Sequence, residues 1–159
     1  MENYMKLEIA AFSENEAFAR SAVAAFALTL NPTLAELSDI RTAVSEAVTN
    51  CIVHAYGKAD GGVGTIQIEC HAEKDGEVRR LHITVEDKGC GIEDTERAVE
   101  PFYTTLACDE RSGMGFTIMQ TFMDEFSLQS ERGKGTRVYM QKRICDCENL
   151  TAGNTVNVG

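Results

Sequence analysis

Residues 45–56 read Ser45-Glu46-Ala47-Val48-Thr49-Asn50-Cys51-Ile52-Val53-His54-Ala55-Tyr56, the most informative run in the chain. Ile40, Ala43, Val44, Ala47, Val48, Cys51, Ile52 and Ala55 recur at three- and four-residue spacing, which predicts an amphipathic helix from about Leu34 to Tyr56. Glu46 and Asn50, four residues apart, project from one face of that helix, and His54 extends the row. Taken alone, E-x-x-x-N also describes a solvated face. Here the helix is apolar for a solvent-facing row, and Glu with Asn forms no ion pair. A carboxamide oxygen is a hard, neutral magnesium ligand. A carboxylate one turn away would accept a proton from an attacking hydroxyl or water.

Two further segments downstream carry chemistry. Ile66, Ile68 and Cys70 share one face of a predicted strand, and Leu81, Ile83 and Val85 share one face of the next, with Asp75-Gly76 as the hairpin signal between them. The second strand ends at Asp87 and enters Asp87-Lys88-Gly89-Cys90-Gly91. Glycines there serve a plain strand-ending turn, or they let a flat base approach the backbone. In the second case Asp87, an acceptor, meets the exocyclic amine of adenine, where guanine presents an oxygen. Leaving such an acceptor unpaired costs about 1–3 kcal/mol, enough to discriminate bases. After a polar stretch from about Glu93 to Ser112, Gly113-Met114-Gly115 opens a predicted helix to Met123. Amides at a helix start, with the helix dipole behind them, favour an anion. Arg111, just upstream, suits a terminal phosphate and suits a bare surface equally well.

The remaining elements complete an order. Met5 to Phe12 alternates like a strand. Ser13 with Glu16 and Thr33 with Glu36 both match the S/T-x-x-E capping box, predicting helices from Glu14 to Leu30 and from Leu34 onward. Phe126 to Glu131 and Thr136 to Arg143 form a last hairpin around Gly133-Lys134-Gly135, and the tail from Cys145 lacks periodicity. Strand, two helices, two strands, loop, helix, two strands predicts an α+β fold, a two-layer α/β sandwich. Its sheet is expected to be mixed, mainly antiparallel, and covered by helices on one face. Residues 1–144 are read as one domain and 145–159 as a disordered tail.

Bulk properties narrow the function. The 159 residues suit one domain. The net charge of −10 disfavours direct nucleic-acid binding. No apolar run approaches the roughly 20 residues of a membrane span, and the N-terminus carries no secretion pattern, so a cytoplasmic protein with no membrane partner is expected. Six cysteines without a C-x-x-C pair read as small hydrophobes in a reducing compartment. Neither G-x-x-x-x-G-K-[ST] nor an early G-x-G-x-x-G occurs, so a nucleotide must be bound another way.

An acidic-plus-asparagine helix, then D-x-G-x-G, then a loop ending in a G-x-G helix start resembles the Bergerat ATP-binding fold of the gyrase, chaperone, histidine-kinase and mismatch-repair ATPases. Within it, Ser45 to Asn50, His54-Ala55-Tyr56 and Arg111 to Met119 are similar to the anti-sigma F factors of spore-forming bacteria, which are serine kinases. The likeness covers roughly Met5 to Ile144. It implies ATP/ADP and magnesium as cofactors, with magnesium on Asn50 and Glu46 as catalytic base. Asp87 would contact adenine, with Gly89 and Gly91 close to the base and Thr136 nearby. Gly113, Met114, Gly115 and Phe116 would line the phosphates, and Thr104, Thr105 and Arg111 would belong to a lid. The family's Lys-Pro after the paired threonines is replaced here by Leu106-Ala107, which removes that cation from the phosphate contacts the resemblance implies. The implied partners are a sporulation sigma factor of RNA polymerase, held inactive, an anti-anti-sigma protein phosphorylated on serine, and a second copy in a homodimer. Arg20, a long cation in an apolar helix, is either a snorkelling surface residue or a partner contact.

Two other readings compete. One is a nucleotide-gated binding module without turnover, against which Glu46 and Asn50 together argue. The other is a general-stress, sigma B type anti-sigma kinase, disfavoured by the presence of both Gly89 and Gly91. A histidine-kinase fragment lacks an upstream phosphoacceptor hairpin.

Overall fold

The strands alternate as the sequence demands, and their alternation divides the sheet into an apolar face and a polar one. The computed structural model describes residues 2–55, 64–100 and 114–145. The elements are β1 (Glu2–Ala10), α1 (Glu14–Ala27), α2 (Leu34–Asn50), β2 (Thr65–Asp75), β3 (Val78–Asp87), α3 (Thr95–Ala98), α4 (Gly115–Phe122), β4 (Glu125–Glu131) and β5 (Gly135–Ile144). A 3-10 turn, Leu28–Leu30, follows α1, and a π-helical turn, Cys51–Ala55, follows α2.

The five strands run in the order β1-β2-β3-β5-β4, and each of the four pairings is antiparallel. The expected mixed sheet is therefore antiparallel throughout. Two helices between β1 and β2 return the chain to the end it left, so β2 runs back beside β1. The single pass through α4 makes β4 parallel to β3, but β5 inserts between them. Ile66, Ile68, Cys70, Leu81, Ile83, Val85, Val138 and Met140 point to the helix side and are buried. They pack with Val23 and Ala27 of α1, Ile40, Val44 and Val48 of α2 and Met119 of α4. The opposite face carries Lys6, Glu69, His82 and Tyr139 among other polar side chains, as expected for an antiparallel sheet with one solvated face.

The two capping motifs part company. Thr33 accepts from the Glu36 amide at 3.2 Å, and the Glu36 carboxylate accepts from the Thr33 amide at 2.8 Å, so this capping box is complete. Ser13 is instead in the right-handed helical region and makes no side-chain cap. A tight turn at the end of β1, closed by Asn15 Nδ2 on the Ala10 carbonyl at 2.9 Å, forces it there, and Glu16 lies 3.7 Å from Arg20 instead. The first helix ends at Ala27 rather than Leu30, and Asn31 closes the 3-10 turn in the left-handed region before Pro32. The β2–β3 turn centres on Gly76-Glu77, one residue beyond the predicted pair, because Asp75 pairs with Val78.

Lys142 fixes the helix that opens with Gly115. It projects inward from β5, donating to the Asp39 carboxylate of α2 at 3.0 Å and to the last-turn carbonyl of α4, Phe122, at 2.7 Å. That cation suits the negative end of a helix dipole and joins α2, α4 and the sheet. The predicted tail, apart from Cys145, lies outside the described residues.

Candidate functional site

Glu46 and Asn50 are both half-buried on α2 and converge on Gly115, the first residue of α4. A methyl group placed on Gly115 would lie 3.2 Å from Glu46 Oε2, and 3.2 and 3.3 Å from the Asn50 amide nitrogen and oxygen. Two of the three sequence segments are thereby brought into contact, and glycine is what lets the α4 start sit over both side chains. The amides of Gly115, Phe116 and Thr117 precede the first helical hydrogen bond, Ile118 N to the Met114 carbonyl at 2.8 Å. Phe116 is anchored by the Phe126 ring at 5.9 Å. The Thr117 hydroxyl, in the same first turn, is buried with no hydrogen-bond partner among the described residues.

The third segment is assembled from backbone. The Cys90 amide donates to the Ala55 carbonyl at 3.0 Å, and the Gly133 amide donates to the Cys90 carbonyl at 2.7 Å. Gly89 packs so close to Ala55 that any side chain would strike its carbonyl. Gly91 has φ +72° and faces the Glu131 carbonyl with no room for a Cβ. The π-helical turn, a widening common at functional sites, is what ends α2 with Ala55 beside this loop.

Asp87, 4% exposed, is the buried carboxylate at the end of β3. Its Oδ1 accepts from the Gly89 amide at 2.9 Å. Burial pushes its carboxyl above the ordinary range, and the Glu86 charge adds to this. The Gly89 and Thr136 amides and the Cys51 thiol pull in the other direction without reversing it. Burial, with the Asp87 charge beside it, pushes the Cys51 thiol well up, so it stands as a neutral donor. Thr136 is the cross-strand partner of Asp87, and its hydroxyl lies 2.8 Å from that of Ser130.

Arg20 lies apart from Asp87, in a groove of about 350 Å³ lined also by Leu34, Leu37, Arg41 and Glu46 of α2. Thr104, Thr105, Arg111 and Gly113, together with Leu106-Ala107, fall outside the described residues, while Met114 is the N-cap of α4. Sequence reasoning missed Ser130, Cys51 and the Ala55 carbonyl. Ser130 had a signal: it follows Phe126 and Leu128 at alternate positions, a polar residue on an inward-facing row.

As to a metal, the described residues contain no cluster of three His, Cys, Asp or Glu side chains that would hold one. What the site offers is the Asn50 carboxamide beside the Glu46 carboxylate, facing the cradle left by Gly115. That sparse set fits magnesium, which takes one or two protein ligands and completes its shell with phosphate and water.

These features, an antiparallel sheet covered on one face and a carboxylate-asparagine pair under a glycine helix start, define a class. Residues 9–142 match the family described as the histidine kinase-like ATPase domain. The chain is 51% identical over 146 residues to an anti-sigma F factor of Clostridium novyi (strain NT), covering 92% of this chain and 98% of that one. It is 50% identical over 150 residues to an anti-sigma F factor of Geobacillus stearothermophilus, covering 94% and 99%. Among solved structures, the RsbU and RsbW domains of a Mycobacterium tuberculosis protein superpose with a TM-score of 0.60 at 17% identity, over 89% of this chain and 32% of that one. The catalytic domain of the histidine kinase ThkA superposes at 0.50 and 14% identity, over 90% and 97%; both show the fold. The chain belongs to the histidine kinase-like ATPase domain family and, within it, to the anti-sigma F factors. Among the described residues no helix is long and apolar enough to cross a membrane.

Proposed function

We propose that this protein binds ATP between Asp87 and Gly115, holds a sporulation sigma factor inactive, and transfers the ATP γ-phosphate to a serine of its anti-anti-sigma antagonist. The observation that carries the reading is the convergence of Glu46 and Asn50 on Gly115. Asp87, with Gly89 and Gly91, would take the adenine amino group, and Thr136 would assist. The amides of Gly115 and Phe116, with Met114 and Gly113 before them, would orient the phosphates, with Thr104, Thr105 and Arg111 closing over them. Magnesium, held through the Asn50 oxygen together with phosphate oxygens and water, would neutralise charge on the transferred group. Glu46 would orient the acceptor hydroxyl for in-line attack and take its proton.

The groove that runs from Arg20 to Glu46 supports a protein acceptor, since a docked partner would reach the carboxylate directly; Arg20 is its proposed anchor. Inhibition of the sigma factor needs no chemistry, and a homodimer would cover the surfaces that factor uses to reach RNA polymerase. The same reading places the protein in the cytoplasm, with residues 1–144 as the working domain and the tail beyond it.

The test is a radiolabelled γ-phosphate transfer assay with magnesium, ATP and the anti-anti-sigma protein of the same genome, with Asn50→Ala in parallel. Label on the partner, lost in the variant, is the expected result. No label, with nucleotide binding measured separately, leaves a nucleotide-gated binding module.

A further inference from the structure

One rung of the sheet crosses four strands. Ile66 of β2 faces Asp87 of β3, Asp87 faces Thr136 of β5, and Thr136 faces Ser130 of β4. In an antiparallel ladder, directly opposed residues share a face, so the three polar side chains stand together on the helix side, beneath the end of α2.

The Ser130 hydroxyl makes three hydrogen bonds. It accepts from the Ile92 amide at 2.7 Å. It donates to the Gly135 carbonyl at 2.9 Å, since that oxygen has no proton to give. It also lies 2.8 Å from the Thr136 hydroxyl. A hydroxyl has one proton and two lone pairs. The proton is spent on Gly135 and one lone pair on Ile92, so toward Thr136 the serine is an acceptor. Thr136 must donate in that bond, and its single proton is then committed. Toward the rest of the pocket Thr136 offers lone pairs alone. Beside it Asp87, as a carboxylate, is also acceptor-only, and its Oδ1 already accepts from the Gly89 amide at 2.9 Å.

We infer that Ser130 is a specificity-positioning residue: by taking the Thr136 proton it turns the Asp87–Thr136 rung into an all-acceptor edge. Such an edge selects a purine nucleotide with an amino group at this point and rejects one with a carbonyl. Ser130, saturated by its three bonds, acts through Thr136. The inference rests on the reading that a nucleotide base docks at Asp87, and goes beyond it by naming the residue that fixes the polarity of the neighbouring hydroxyl. Without the serine oxygen, Thr136 is free to turn its proton toward the base and to satisfy a carbonyl there.

The test is the ratio of ADP to IDP affinity, measured by calorimetry on the full chain with magnesium. IDP carries an oxygen where ADP carries the amino group and also a proton on N1, so the diphosphate of 6-methoxypurine riboside, whose N1 stays unprotonated, is measured in parallel and must shift the same way. Ser130→Ala is expected to narrow that ratio about five- to tenfold, the worth of one hydrogen bond. Ser130→Thr, which restores the hydroxyl, is expected to keep it. Thr136→Val, which retains the shape and removes the acceptor, must also narrow the ratio, and in that background Ser130→Ala must add nothing. A merely structural serine would weaken ADP and IDP by the same factor; an unchanged ratio in Ser130→Ala or in Thr136→Val overturns the inference. Asp87→Asn separates the two levels. If it leaves ADP binding intact, the base-docking reading itself fails. If it abolishes binding while the Ser130 ratio holds, the serine inference alone is wrong.

Discussion

At the Asp87 end of the site the glycine loop packs backbone against backbone, whereas at the Glu46 end two side chains lie against one glycine. Gly89 abuts the Ala55 carbonyl, Gly91 abuts that of Glu131, and Cys90 is held from both sides by main-chain hydrogen bonds. Nothing in that lattice is relieved by turning a rotamer. Glu46, Asn50 and Gly115 instead meet through side-chain tips on two helices whose cores are anchored elsewhere. The Asp87 end should therefore be coupled to folding, and the Glu46 end to chemistry alone.

The largest expected effect tests the chemical end. Glu46→Gln should lower phosphate transfer about 10²- to 10⁴-fold, the usual worth of a general base. Nucleotide affinity should hold, and the free energy of urea unfolding should change by less than about 0.5 kcal/mol. A variant that unfolds early would erase the contrast.

Next comes Gly91→Ala, which places a methyl group against a carbonyl at a left-handed φ. A loss of about 3 kcal/mol or more in urea unfolding is expected. Gly133→Ala shares the positive φ, +80°, but meets no atom within 4 Å, so it should cost about 1 kcal/mol. Equal losses at the two positions would show that strain, and not backbone packing, governs the loop after β3.

Asp87→Asn should cost about 10- to 100-fold in ADP affinity while changing stability near neutral pH by less than about 1 kcal/mol. Its pH dependence has a definite sign. The folded carboxyl is raised above the ordinary 3.8 by burial, then by the Glu86 charge. The stability it contributes is full below 3.8 and is lost as pH rises through the elevated value. Acid titration of unfolding should show that segment in the wild type and not in the variant. Glu36 has the opposite sign. Burial alone would raise it, but the Cys145 and Thr33 amides outweigh that and hold it low. Its share of stability is therefore present at neutral pH and lost as pH falls through the depressed value.

The smallest effect is Gly115→Ala. Its methyl group would crowd Glu46 and Asn50 by a few tenths of an ångström. Transfer should fall about tenfold through misalignment, with stability within about 0.5 kcal/mol.

Much of this was legible in the residues, and the failures have a common cause. The Thr33–Glu36 box formed because its chain enters the helix extended, at ψ 163°. The identical pattern at Ser13–Glu16 did not, because the end of β1 sets its backbone first. Local spacing placed Glu46 and Asn50 on one face and put Gly115 at a helix start; that these meet is a product of how α4 packs on α2. It did not reveal Ser130 or the Ala55 carbonyl, whose roles depend on which strand lies beside which and on a helix that widens in its last turn. Cross-strand register and main-chain acceptors leave no motif of their own.

The tip of the β4–β5 hairpin grips the loop after β3: Gly133 bonds to Cys90, and Glu131 closes over Gly91. Residues 87–92 and 130–135, far apart along the chain, are therefore one heritable piece. A designer transplanting this pocket into another scaffold, or a lineage exchanging segments by recombination, would have to carry both stretches together. Insertions at the hairpin tip, on the surface and easily dismissed as tolerant, would be felt in the pocket first.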